Sequence, residues 1–390
     1  MAAMAPSSYL RQSLLQRCTA IGRANVGARC LILSSAFSVD SRKEMTDIAE
    51  TRGRHRISTS KRKGEKEGQK WRMQAEAMWD HFSQVYGTRW ETTLCHALLQ
   101  PSKMTALMNP SVLTNAETIK TKQLKPIEWA PPILQAYISE DQPKVPTPSR
   151  DDSSELPNYY CMDPASLLPV LALNLKNTTS PPVVLDLCGA PGGKTLTIHR
   201  ILSELEGSLV SNEPNKIRRE RLEKVVEEHI VDRSNLTITS LDGVVFGNPK
   251  HDFSDLEGAI MQGKRSVGFS HVLCDVPCTG ERHIIHHSSG GEWTGKNLRN
   301  TRRQIALLKA AWAACEIGGT VVYSTCSLSP SENDEIVKKM LTQRACKLLQ
   351  LNLPIGEQTE HGWMVLPDHS SSIGMGPIYI AAMQKVVEQI

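Results

Sequence analysis

VVLDLCGAPGGKT, residues 183–195, is the stretch that decides the fold. VVLDL is nearly all apolar, the pattern of a strand buried on both faces of a parallel sheet. The glycines that follow allow a sharp turn, a close backbone approach to a ligand, and the start of a helix. The same grammar recurs downstream. Strands are expected at SLVSN (208–212), LTITS (236–240), HVLCD (271–275) and TVVYS (320–324). Amphipathic helices are expected at 165–174, 194–205, 216–229, 301–316 and 331–343. Strand and helix alternating at this spacing predict an α/β, doubly wound, Rossmann-like parallel sheet. Ligands of such sheets bind beyond the carboxyl ends of the strands.

Three chemistries use a glycine turn of this kind. A phosphate-binding loop matches GKT at Gly193, Lys194 and Thr195, but its first glycine falls on Cys188. A dinucleotide site needs G-x-G-x-x-G, which GAPGG at 189–193 does not supply. A site for S-adenosyl-L-methionine needs an acid after the next strand to hold the ribose hydroxyls, by the geometry known from dinucleotide folds. Glu213 stands there, and Asp242 follows the third strand, where the adenine end would lie.

Two further strand ends carry reactive residue types. HVLCDVPCTG ends with Asp275, Pro277 and Cys278, and TVVYSTCSLSP with Thr325, Cys326 and Ser327. A cysteine within an apolar strand, such as Cys274 or Cys315, is usually an inert core residue. A cysteine just past a strand end, beside polar residues, is a candidate nucleophile.

Working upstream, Pro143, Pro146 and Pro148 break regular structure near a domain boundary, and the catalytic domain is expected over 151–390. A small N-terminal helical extension is expected over 74–150, where Phe82, Tyr86, Trp90, Leu94 and Leu98 recur every four residues. That stripe reads as core packing rather than a base-stacking surface. Residues 40–73 read as a basic flexible linker: from Arg52 to Arg72 there are nine Lys/Arg and two Glu. An arm touching phosphates is the sharper alternative. The chain carries 45 Lys+Arg and 41 Asp+Glu. Residues 1–39 hold Arg11, Arg17, Arg23 and Arg29 with no acid, so the rest is balanced and its charge says nothing about nucleic acid. Arginine, serine and leucine without acids predict a mitochondrial transit peptide over 1–39. No apolar run approaches the ~18 residues of a membrane span. The ten cysteines are scattered, as in a reduced protein rather than a disulfide scaffold. Cys274, Cys278, His283 and His286 are spaced too tightly for a usual zinc finger, and no metal site is expected.

DLCGAPGGKT, CDVPCTGERH and YSTCSLSPSEN together resemble the Sun-domain family of RNA cytosine-5 methyltransferases, within it the mitochondrial ribosomal-RNA type. YYCMDPASLLPVLAL (159–173), GPIYIAAM (376–383) and FSQVYGTRW (82–90) resemble that type too, so the likeness covers about residues 75–390. It implies a class I S-adenosylmethionine-dependent methyltransferase sheet. It implies Cys326 as nucleophile, Cys278 as the cysteine assisting product release, and Asp275 as an acid near the ring nitrogen. Carbon 5 of cytosine is a poor nucleophile until a thiolate adds to carbon 6, one hard step split into easier ones. Cofactor contacts carry over to Cys188, Gly189, Ala190, Pro191, Gly192, Gly193, Lys194, Glu213, Arg218, Asp242, Gly243 and Asp275. The family usually has Ala at the place of Gly189 and often Asp at that of Glu213. DNA cytosine methyltransferases use the Pro-Cys cysteine instead, which would make Cys278 the nucleophile; the TCS segment favours the RNA assignment.

His283, His286, His287, Lys296, Arg299 and Arg302 follow the Pro-Cys loop and are candidates to hold phosphates beside a flipped base. No RNA-reading module is visible. Sequence-specific targeting is therefore expected from a partner, and the resemblance implies a helical-repeat protein of the mitochondrial termination-factor type. The implied role is methylation of mitochondrial RNA, small-subunit rRNA or tRNA, in ribosome biogenesis. The alternatives are a phosphate-loop nucleotide-binding protein and a non-catalytic ribosome assembly factor.

Overall fold

The computed structural model describes residues 41–47, 61–113, 115–139, 145–178, 180–248, 268–286, 293 and 298–387. The expected transit segment, His287 and Lys296 lie outside the described residues.

The apolar runs pair as parallel strands. β5 (Val183–Asp186) lies between β6 (Ser208–Asn212) and β8 (Phe269–Asp275), and β7 (Leu236–Thr239) pairs with β6. β9 (Cys315–Thr325) continues the sheet beyond β8. The order β7-β6-β5-β8-β9 reverses direction between β5 and β8, which opens a ligand crevice at the carboxyl ends of these strands. β13 (Ile378–Lys385) then pairs antiparallel with β9. Its other edge carries β10 (Cys346–Leu349) and β12 (Trp363–Val365), and β11 (Glu357–Gln358) pairs with β12. Helices cover both faces. One core joins helices Leu298–Ala314 and Asp334–Gln343 to the sheet. The other joins helices Leu168–Ala172, Gly193–Leu202 and Lys216–His229.

The N-terminal part departs from the purely helical extension expected. Helix Lys61–Tyr86 begins inside the stretch read as a flexible linker, and 41–47 is also helical. The four-residue stripe does pack inward: Phe82, Trp90, Leu94 and Leu98 are fully buried. Gly87, at φ +58°, ends the first helix, and a π-helical turn Trp90–Leu94 leads into Cys95–Leu99. The chain then forms an antiparallel sheet in the order β2-β3-β1-β4, from β1 (Thr105–Met108), β2 (Leu124–Pro126), β3 (Ala136–Ser139) and β4 (Tyr159–Met162). β4 comes from beyond the proline-rich stretch, so this sheet straddles position 151. Arg200 ties it to the large sheet: its buried guanidinium donates to the carbonyls of Leu134, at 2.6 Å, and Met108. At the other end Arg89 donates twice to Asp368, each at 2.9 Å, and also binds Glu357.

Candidate active site

The turn after β5 packs against protein on nearly every side. A Cβ at Gly189 would lie 2.0 Å from Ser211 Oγ, and one at Gly193 would lie 2.9 Å from the Tyr160 ring. Gly192, at φ +120°, has Val225 2.9 Å from where its Cβ would be. These glycines are therefore required by the approach of β6, β4 and helix Lys216–His229 to the turn, as well as by any ligand. Cys188 is inert, since burial and the nearby Asp186, Asp275 and Glu213 carboxylates push its thiol well above the usual range. Thr195 is fully buried and donates to Asp186 Oδ2 at 2.7 Å. A phosphate-binding loop needs that hydroxyl free to reach a magnesium ion. The buried Thr195, the missing glycine at 188 and the antiparallel β13 together oppose the nucleotide-hydrolase alternative.

Two acids stand just past the ends of β6 and β7. Glu213 is 2% exposed, accepts from the backbone N–H of Asn215 at 2.9 Å and pairs with Arg218 at 3.2 Å. Arg218 also donates to the Ala190 carbonyl at 2.9 Å, fastening the glycine turn to the start of helix Lys216–His229. Asp242 accepts from the backbone N–H of Val244 and pairs with Arg303 at 2.5 Å, which holds its carboxyl below the usual range. Gly243 follows, with Leu307 2.8 Å from its missing Cβ. The donor set fits S-adenosylmethionine: a fixed carboxylate for ribose hydroxyls at Glu213 and a glycine turn between it and the crevice.

The reaction side lies at the ends of β8 and β9. Their parallel register puts Asp275 beside Ser324, which donates to Asp275 Oδ1 at 2.7 Å. Lys194 reaches across from the glycine turn and pairs with Asp275 Oδ2 at 2.8 Å. The charge of Asp275 thus has a fixed partner, and the ammonium of Lys194 is held up by that carboxylate against the effect of burial. Cys278 and Cys326 bring their sulfurs to 2.7 Å, and the Cys326 N–H donates to Cys278 Sγ at 3.3 Å. Both are free thiols; Cys326 is exposed and Cys278 half-buried. The hydrogen bond to Cys326 and then burial raise the Cys278 thiol well above its ordinary range.

These groups open into a cleft of about 800 Å³. Lys194, Asp275 and Cys326 line it, with Asp163, Arg282 and Gly376 on other walls. Lys194, read from the sequence as a cofactor contact, therefore also faces the reaction cleft. Arg282 is not a free phosphate ligand, because it is 7% exposed and donates to the carbonyls of Gly374, Gly376 and Gln100. His286 is held on the Leu98 carbonyl at 2.7 Å. Sequence reading missed Asp163, Glu281, Glu332 and the partnership of Arg303 with Asp242. Glu281 and Glu332 carried a signal: each is a charged residue a few positions past a reactive cysteine, in GERH and PSEN.

A family model described as 16S rRNA methyltransferase RsmB/F matches residues 170–384. The chain is 34% identical over 255 residues to 5-cytosine rRNA methyltransferase NSUN4 of Bos taurus, covering 63% of this chain and 60% of that protein. It is 32% identical over 311 residues to the NSUN4 of Mus musculus, covering 72% and 75%. A mitochondrial tRNA (cytosine(34)-C(5))-methyltransferase of Danio rerio is 32% identical over 270 residues, covering 65% and 67%. Among solved structures, NSun6 from Pyrococcus horikoshii with SFG matches with a TM-score of 0.60 at 18% identity, over 80% of this chain and 98% of that one. At that identity the likeness concerns the fold alone.

Proposed function

The chain belongs to the 16S rRNA methyltransferase RsmB/F family, and from that premise we propose that it methylates carbon 5 of a cytosine in mitochondrial RNA, with Cys326 as nucleophile. The observation that carries this reading is the contact of the Cys326 and Cys278 sulfurs beside the Lys194–Asp275 pair. Cys326, the exposed member, adds through its thiolate to carbon 6 of the ring, and carbon 5 becomes electron-rich. Lys194 and Asp275 offer a donor and an acceptor to the polar edge of the base. S-adenosylmethionine, when bound, supplies the methyl group that carbon 5 accepts. Carbon 5 then loses its proton, the ring double bond re-forms, and Cys326 leaves as a thiolate. Cys278, whose thiol is raised well above its ordinary range and whose sulfur touches that of Cys326, gives that thiolate a hydrogen bond and so eases release.

The substrate class follows the relatives: two are named for rRNA and one for mitochondrial tRNA. Small-subunit rRNA is the favoured target, with a role in mitochondrial ribosome biogenesis. The acid-free N-terminal segment supports import into the matrix. The balanced charge of the remaining chain supports delivery by a partner of the termination-factor type. Cys326→Ala should abolish methyl transfer while leaving S-adenosylmethionine binding, read by calorimetry, intact. Cys278→Ala should accumulate a covalent protein–RNA adduct on denaturing gels. Full methylation by Cys326→Ala refutes the reading. Bisulfite sequencing of mitochondrial RNA with and without the protein identifies the target. A purified chain that works as fast alone as with mitochondrial extract removes the need for a partner.

A further inference from the structure

Two buried carboxylates stand beside the cysteines and take no part in the chemistry above. Glu281 comes three residues after Cys278 and is fully buried. Its Oε1 accepts from the Ser327 hydroxyl at 2.9 Å and its Oε2 from the Leu328 N–H at 3.0 Å, in the segment just past Cys326. Glu332 comes six residues after Cys326 and is 2% exposed. Its Oε2 accepts from the Thr279 N–H at 3.1 Å, in the residue just past Cys278, while the Thr279 hydroxyl donates to its Oε1. Gln304, fully buried, donates to Glu332 Oε2 at 2.6 Å and to the Pro277 carbonyl at 3.0 Å. Each cysteine loop thus sends one carboxylate into the other loop.

We propose that Glu281 and Glu332 form a reciprocal clasp that sets the spacing of Cys278 and Cys326, and are positioning residues for the reaction. The inference rests on the two-cysteine reading above. A buried carboxylate must keep its hydrogen bonds or suffer a large desolvation cost. Burial pushes the Glu281 carboxyl up to about 7, against which its bonds from Leu328 and Ser327 favour the charged form; bonds from N–H or O–H to a charged carboxylate are about twice as strong as neutral ones. Neither loop can swing away without breaking bonds at both carboxylates. The parallel pairing ends with Asp275 beside Ser324, three residues before Cys278 and two before Cys326; just past it the Val276 N–H donates to the Ser324 carbonyl at 3.0 Å and Thr325 pairs with Tyr379 of β13. Beyond those points the clasp supplies the alignment.

The test uses Glu281→Gln and Glu332→Gln. An amide keeps one acceptor oxygen and turns an NH₂ toward a donor. A readout independent of activity is cross-linking of the RNA-free protein by diamide. In that reaction the two thiols form a disulfide, and the azo bond of diamide takes up two electrons and two protons to become a hydrazine. Rates are followed by peptide mass mapping of Cys278–Cys326. Each variant should cross-link about 10-fold more slowly than the parent and lose about 10-fold or more in kcat, as a sulfur displaced by about 1 Å implies. KM for RNA should stay within about twofold, because the clasp touches no substrate. Cross-linking at the parental rate in a folded variant overturns the proposal, whatever happens to kcat. If either Gln variant does not fold, Gln304→Leu, which removes one donor to Glu332, is read by the same assay with the same criterion. An active Cys326→Ala enzyme would instead strike down the cysteine mechanism, so the two failures are distinguishable.

Discussion

Gly189→Ala is expected to damage this protein, and the reason is local. The added methyl would lie 2.0 Å from Ser211 Oγ, whereas contacts under 3.0 Å are essentially never seen. Ser211 lies on β6 opposite Asp186 of β5, so the backbone cannot open the gap without distorting the pairing. The hydroxyl must rotate instead, giving up its 3.0 Å hydrogen bond with Thr195. Overpacking costs about 1–3 kcal/mol and the hydrogen bond about 1 kcal/mol more, so a total of about 2–4 kcal/mol follows. Removing the hydroxyl vacates the space the methyl needs. Ser211→Ala alone should cost about 1 kcal/mol, and Gly189→Ala/Ser211→Ala should recover at least about 1–2 kcal/mol relative to the sum of the singles. Urea unfolding of the four proteins, with S-adenosylmethionine affinity by calorimetry alongside, measures the coupling. Additive losses would refute the steric account.

Three other outcomes are expected. Burial raises the Asp186 carboxyl from 3.8 to about 6, so the folded state binds more protons than the unfolded one between those pH values and stability falls as pH rises through that window. The displacement corresponds to about 3 kcal/mol at most, and Asp186→Asn, whose amide oxygen can still accept from Thr195, should flatten the slope in urea unfolding from pH 4 to 6, as about 1.4 kcal/mol per pH step requires. Arg89→Ala leaves the Asp368 carboxylate, whose side chain is 4% exposed, without its charge partner, at a cost of about 3 kcal/mol in the same assay. Arg89→Lys should recover less than half of that, since an ammonium cannot supply the paired donors of the guanidinium.

The five parallel strands of the large sheet were legible as short, mostly apolar runs, whereas the antiparallel β10 to β13 were not foreseen. SLVSN at 208–212 became β6 with no change of boundary. The small sheet was not legible. β1, TALM, is buried throughout and lacks alternation, β2 is three residues with a proline, and β4 joins from across the proline-rich stretch. Such strands are made by their partners rather than by local pattern. At the site, the two cysteines and Asp275 could be found because each ends an apolar strand. Lys194 paired with Asp275 could not, since that contact depends on neighbouring strands far apart in sequence. The contacts of Arg282 could not be read either, since its charge is spent on three backbone carbonyls remote in sequence.

β13 is the last strand among the described residues, yet it sits inside the sheet, with β9 on one side and β10 and β12 on the other. Gly376, Pro377 and Ile378, at its entrance, line the same cleft as Cys326. All the other described strands of the sheet leave the ribosome before that wall exists. Until then β9 is a bare edge, open to pairing with a foreign strand. A premature stop before residue 376 would therefore leave a cysteine without its pocket. Arrival of β13 is, in that sense, a licence for the proposed chemistry.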